Sequence, residues 1–308
     1  MYEKILVPLD GSRVAEAVLP HVGWLAGGLK AGVTLLTVVD PLDIKGEERP
    51  MRRYGLASVK MVEETLGAKL KLYLQEVAKS LAVRGVEEAE AVVVAGNISE
   101  EILGLAETHG CDLIAMSTHG RSGIRRGLLG SVTDAVVRYS DIPVLVIGPR
   151  CMSDGPESYA EIKRVVVPLD GSPLAEAILP YVEELASRLS LEVDLMQVVK
   201  VPALAYAGDH TYHTDTTSIE EELESEAAWY LENVAHRLEA RGIRAKLAVM
   251  KGVPATKIVD YAHEAEGSMV AISTHGRSGL GRLVIGSVAD SVIRSLDAPV
   301  LVVRPSES

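Results

Sequence analysis

One passage of this chain is written twice. Ile5–Val22 reads ILVPLDGSRVAEAVLPHV, and Val165–Val182 reads VVVPLDGSPLAEAILPYV. Thr118–Ser131 (THGRSGIRRGLLGS) matches Thr274–Ser287 (THGRSGLGRLVIGS), and Ile142–Ile147 (IPVLVI) matches Ala298–Val303 (APVLVV). The first pair lies 160 residues apart and the other two 156, so the second copy is shorter by four residues lost from its middle. A duplication on this scale constrains the fold more than any local signal, because one architecture must serve both halves. The chain of 308 residues accordingly divides into domains at 1–150 and 162–308. The join at 151–161, CMSDGPESYAE, has the Ser/Gly/Pro content of a linker.

Each copy alternates short aliphatic runs with amphipathic ones. In the first, Lys4–Leu9 predicts a strand and Ser12–Lys30 a helix, with Val14, Ala17, Val18, His21, Val22, Leu25 and Leu29 at helical spacing. Ser12 is placed to cap that helix, and Pro20, repeated as Pro180, should kink it. Strands follow at Val33–Val39, Glu90–Ala95, Asp112–Ser117 and Val144–Ile147. Helices are expected within Val59–Arg84, at Ile98–His109 and at Ser131–Tyr139. Pro254 suits the first turn of a helix in the second copy. The strands are continuous aliphatic runs, the mark of a parallel sheet covered on both faces. The fold class is therefore α/β: two repeated doubly wound parallel sheets of Rossmann-like type, which bind ligands beyond the carboxyl ends of the strands where strand order reverses.

The loop after the fourth strand is the chemically richest segment. Gly120, Gly123, Gly127 and Gly130 permit close approach of backbone, and Arg121, Arg125 and Arg126 add positive charge. Ser131 then opens a helix, whose first N–H groups lack intrahelical partners and carry the positive end of the dipole. Such a terminus binds phosphate. The alternative is an ordinary strand–helix turn. The second copy retains the pattern with Arg277, Gly279, Arg282, Gly286 and Ser287, while other parts of the copies have drifted. Asp10 and Asp170, in VPLDGS, end the first strand of each copy and would lie across the crevice from the glycine loop. There a carboxylate accepts from ribose hydroxyls or holds a divalent cation on phosphates; the competing reading is that Asp10 or Ser12 caps the next helix. Neither G-x-G-x-x-G after the first strand nor G-x-x-x-x-G-K-[ST] is present, which argues against a dinucleotide-binding fold and a P-loop enzyme.

Taken in order, VPLDGS, STHGRSG and PVLVV make the chain resemble a tandem universal stress protein of the ATP-binding type, over nearly its whole length. In that group a loop G-x-x-G, nine residues, G-[ST] follows the fourth strand. Gly120, Gly130 and Ser131 match it, as do Gly276, Gly286 and Ser287; Ser117 and Ser273 stand where the first glycine would be. The resemblance implies an adenine nucleotide alpha hydrolase-like fold with strand order 3-2-1-4-5, and pairing of the last strands of the two halves as an internal pseudo-dimer. It implies ATP, ADP or AMP in each repeat; magnesium on the phosphates at Asp10 and Asp170 is the expectation from the carboxylates themselves. Pro8, Leu9 and Asp10, and Pro168, Leu169 and Asp170, would lie by adenosine; Val38 and Val198 would meet adenine through backbone atoms; Met116 and Ile272 would line the pocket. Ser117, His119, Gly120, Arg121, Gly123, Gly130, Ser131 and Val132 would surround ribose and phosphates. So would Ser273, His275, Gly276, Arg277, Gly279, Gly286, Ser287 and Val288. The implied function is a nucleotide-binding stress-response regulator, with a slow ATPase or a nucleotide-free interaction module as alternatives.

Composition removes other classes. Net charge of −12 opposes bulk attraction to nucleic acid or anionic lipid, and no apolar run approaches a membrane span. Two cysteines make no disulfide framework, and the start of the chain shows no secretory signal, so a cytoplasmic protein is expected. His210 and His213 have H-x-x-H spacing, but a solvated loop accounts for them better than zinc. His119 and His275 are bases by residue type, yet loop histidines touching backbone or phosphate are the simpler reading.

Overall fold

The structure, a computed structural model, describes residues 1–40, 51–119, 129–148, 161–200, 216–276 and 285–305, with backbone alone at 51–65 and 216–218. Gly120, Arg121, Gly123, Arg125, Arg126, Gly127, Arg277, Gly279, Arg282, His210, His213 and most of the linker lie outside the described residues. Two compact units emerge, Met1–Tyr159 and Ala160–Ser308.

The first unit runs β1 (Lys4–Pro8), a 3-10 turn (Ala15–Val18), α1 (Leu19–Leu29), β2 (Gly32–Val39) and α2 (Met51–Ala82). It continues with β3 (Ala89–Ala95), α3 (Ile98–Thr108), β4 (Leu113–Ser117), α4 (Ser131–Tyr139) and β5 (Val144–Ile147). Its strands lie in the order β3-β2-β1-β4-β5. Every neighbouring pair is parallel. Ile5, Leu6 and Val7 of β1 are fully buried, as aliphatic runs in a sheet covered on both faces must be.

The second unit repeats this as β6 (Arg164–Pro168), α5 (Pro173–Glu176), α6 (Leu179–Leu189), β7 (Glu192–Val199) and α7 (Thr216–Glu239). Then come β8 (Ala245–Lys251), α8 (Pro254–Glu264), β9 (Ser268–Ser273), α9 (Ser287–Ser295) and β10 (Val300–Val303). The order is β8-β7-β6-β9-β10, again parallel within the unit. Strand order is thus 3-2-1-4-5 in each repeat, and it reverses at β1 and β6.

Two local expectations need correction. Pro20 and Pro180 do not kink a long helix; each sits in the first turn of α1 or α6. Proline has no N–H to donate and its ring clashes with the carbonyl four residues back. The backbone before it therefore closes as a separate short turn or helix. The middle helix also starts earlier than anticipated, at Met51 instead of near Val59.

The repeats differ at one packing contact. Gly23 and Gly27 on α1 leave room for the Arg84–Gly85 turn, where an added Cβ at Gly23 would come within 2.6 Å of Arg84 Cδ. In the second repeat Glu183 replaces Gly23 and pairs with Arg241, the counterpart of Arg84.

Candidate nucleotide-type crevice

Register alone assembles the crevice. β1 pairs Pro8 with Leu36 of β2 and Leu6 with Ile114 of β4. Continued past the strand, this sets Asp10 level with Val38 on one side and Thr118 on the other. Leu9 N–H still donates to Leu36 O at 2.7 Å, so the ladder runs to the threshold of Asp10. In the second repeat Pro168 pairs with Met196 and Val166 with Val270, and Leu169 N–H donates to Met196 O at 2.8 Å. Asp170 is thereby level with Val198 and Thr274. Leu9, Leu169, Met116 and Ile272 are buried beneath these tips.

Asp10 and Asp170 shape the chain that follows them. Asp10 Oδ1 accepts from Ser12 N–H at 2.9 Å, and Ser12 Oγ accepts from Ala15 N–H at 3.1 Å. Asp170 Oδ1 accepts from Ser172 N–H at 3.0 Å and from its hydroxyl at 2.6 Å, while Ser172 Oγ accepts from Ala175 N–H at 3.1 Å. The serine caps, and the aspartate holds the serine in a turn. In each case these contacts engage Oδ1 of the carboxylate. In the second repeat the structure also brings loop and aspartate together: a Cβ built on Gly276 would run into Asp170 Oδ2.

The opposite wall is the start of α4 or α9. Gly130 N–H donates to Thr118 O at 2.8 Å, and Gly286 N–H donates to Thr274 O at 2.7 Å. Thr133 Oγ1 donates to Ser117 O at 2.9 Å, a second tie between α4 and the tip of β4. These ties lay the first helical turn against the strand tip. Ser131 and Ser287 are exposed there, with Val132 and Val288 half-buried. Glycine at 130 and 286 has a reason of its own, because an added Cβ would stand 2.9 Å from Thr118 O and 3.0 Å from Thr274 O. Backbone dihedrals do not demand it, with φ near −60° at both.

Ser117 and Ser273, in place of the motif's first glycine, are buried. Ser117 Oγ donates to His119 O at 2.5 Å. His119 Nδ1 lies 3.0 Å from Thr118 Oγ1, and His275 Nδ1 lies 2.8 Å from Thr274 Oγ1. The other ring nitrogen, Nε2, is shut from solvent in both repeats and has no partner among the described residues. A buried polar atom left unpaired costs about 1–3 kcal/mol, so its recurrence asks for a partner that the described residues do not supply.

Sequence reading missed the buttress behind the crevice. Tyr73 on α2 donates its hydroxyl to Glu16 Oε1 at 2.8 Å, and Tyr230 on α7 donates to Glu176 Oε1 at 2.9 Å. Arg237 adds a contact to Glu176 Oε2 at 2.6 Å. Burial, and then the bond to Glu176, push the Tyr230 hydroxyl well above the ordinary tyrosine range, so it stays a donor. The signal was available: Glu16 and Glu176, and Tyr73 and Tyr230, occupy matching places in both copies. Among the described residues no three His, Cys, Asp or Glu side chains gather as a metal cluster, and no helix is long and apolar enough to cross a membrane.

Fold and crevice together define a doubly wound α/β protein with a crevice in each repeat, at the strand-order reversal and facing a helix N-terminus. The profile of the universal stress protein family matches residues 1–148 and 161–304. The chain belongs to that family, as a tandem of two of its domains. Universal stress protein MJ0577 of Methanocaldococcus jannaschii is 37% identical over 154 residues, which is 48% of this chain and 95% of that one. Universal stress protein Rv2005c of Mycobacterium tuberculosis is 28% identical over 267 residues, spanning 84% of this chain and 79% of its own. The crystal structure of a universal stress protein from Archaeoglobus fulgidus shares the fold with a TM-score of 0.71, at 22% identity, covering 99% of this chain and all of that one.

Proposed function

We propose that each repeat binds an adenine nucleotide, ATP in the first instance, and that occupancy of the two sites is a signal in a stress response. The observation that carries this reading is the buried Nε2 of His119 and of His275, which has no partner among the described residues, each beside a helix start stapled to a strand tip. An anion with acceptor oxygens answers both features. The N–H groups of the first turn attract phosphate, and each imidazole whose Nδ1 accepts from its threonine hydroxyl presents Nε2–H as a donor. Val38 and Val198 offer backbone atoms to the base. Asp10 and Asp170 face ribose or a magnesium ion on the phosphates. Met116 and Ile272 give the pocket an apolar floor. The family motif assigns the rest of the phosphate side to Gly276 and, outside the described residues, to Gly120, Arg121, Gly123, Arg277 and Gly279.

The protein, purified with no nucleotide added and then denatured, should release adenine nucleotide at close to two per chain. A protein that releases none, and gives no heat with ATP, ADP or AMP, would end the proposal. Turnover decides between binding and catalysis: with magnesium, ATP hydrolysis faster than about one per second would mark an enzyme, since enzymes run at roughly 1–1000 per second. The reading here is binding, with turnover below that mark.

A further inference from the structure

The two sites are not copies at one position. Residue 37 of β2 is threonine, and its counterpart 197 of β7 is glutamine. Thr37 is buried, and its hydroxyl donates to Leu9 O at 2.9 Å, on the carbonyl that precedes Asp10. That places the side chain of this position against the tip of the strand at which order reverses. Gln197 holds the same register position, level with Leu169 and immediately before Val198, and is longer and half-buried. Its Oε1 is shut from solvent and has no partner among the described residues. The first repeat has satisfied this position within the fold. The second leaves, next to Val198, a buried hydrogen-bond acceptor that no described residue pairs.

Resting on the nucleotide-binding reading above, we infer that Gln197 makes the second repeat selective for the base, through its carboxamide oxygen accepting from the exocyclic 6-amino group of adenine. The chemistry is that of purine readout by glutamine, in which oxygen accepts from N6–H and nitrogen donates to a ring nitrogen. A base bearing oxygen at position 6 sets acceptor against acceptor and leaves the buried oxygen unpaired. Sites built on such a bond reject the analogue that lacks the donor. At this position the first repeat has no equivalent group, because the Thr37 hydroxyl is already committed to Leu9 O. Gln197 is a specificity residue and takes no part in holding the phosphates.

The test is calorimetry of the full chain with ATP and with inosine triphosphate, fitted to two sites. In the unmodified protein one site should prefer ATP over inosine triphosphate by about tenfold more than the other does, the size expected of one good base contact. Q197T should bring the two preferences together without changing the number of sites. T37Q should raise the preference at the other site. Q197M fills the space without the acceptor; it should lose the preference and keep or raise the melting temperature, which a purely structural role would lower. An unchanged ATP preference in Q197T and Q197M, with both sites still binding, would overturn this inference and leave nucleotide binding standing. Absence of ATP binding at either site of the unmodified protein would overturn both.

Discussion

Gly130→Ala and Gly286→Ala separate the two reasons for glycine at the helix start. If glycine is there to admit a ligand, a methyl group should weaken binding and leave the empty protein unharmed. The structure argues otherwise. The new Cβ would stand 2.9 Å from Thr118 O or 3.0 Å from Thr274 O. Carbon–oxygen contacts across backbones settle at about 3.3–3.6 Å, so each helix start must retreat by roughly 0.4 Å. That retreat strains the Gly130 N–H to Thr118 O bond of 2.8 Å and the Gly286 N–H to Thr274 O bond of 2.7 Å. Overpacking of this kind costs about 1–3 kcal/mol. In a unit of this size 1 kcal/mol moves the midpoint by about 2–4 °C, so each variant should melt about 3–10 °C lower in nucleotide-free buffer. Calorimetric scanning on protein stripped of nucleotide reads the shift. An unshifted midpoint in both, with binding lost, would refute the packing account and return these glycines to the ligand alone. A second comparison sharpens the result: aspartate at either position adds a negative charge beside the anion site, so binding should fall further than with alanine while the midpoint falls by a similar amount.

Three further outcomes are expected. Gly276→Ala drives a methyl into Asp170 Oδ2, whose partner oxygen is held by Ser172; titration with ATP should show the second site weakened by tenfold or more and the first unchanged. Asp194 is 1% exposed and bound by Arg164 at 3.1 Å and by the Tyr261 hydroxyl at 2.9 Å, so Arg164→Met should cost about 3 kcal/mol in urea unfolding, and Asp194→Leu added to it should recover most of that loss. Burial pushes the His21 imidazole down to about 4, below its unfolded value of 6.5. The unfolded chain therefore takes up the proton first, and stability is lost as pH falls from 6.5 to about 4, by roughly 3 kcal/mol. His21→Tyr, the residue that Tyr181 supplies in the second repeat, should remove that part of the acid dependence; a variant with the unmodified pH profile would contradict it.

How much of this was legible in the sequence depends on what each residue answers to. The covered parallel sheet was legible, because aliphatic runs such as ILV and VVV before PLDGS have no stable place elsewhere, whereas the strand order came only with the family resemblance. The role of Pro20 was misread because helical periodicity of side chains persists across a 3-10 turn, while the hydrogen-bond ladder does not. The site itself was harder for a different reason. Thr118, Gly130 and their counterparts are retained between the copies, and the sequence offered the ligand as the cause. The structure supplies a second cause, since the same residues staple a helix to a strand with no ligand in the argument. Retention of Gly130 therefore testifies to packing first. His119 and His275 are the residues whose retention packing among the described residues does not exhaust: one ring nitrogen is used and the other is buried with no described partner in both repeats. Divergence is informative by the same logic. Thr37 closes a hydrogen bond on Leu9 O, while Gln197 Oε1 has no partner among the described residues, so the duplicated chain carries its own control: exchanging the two side chains tests whether that difference reads the base.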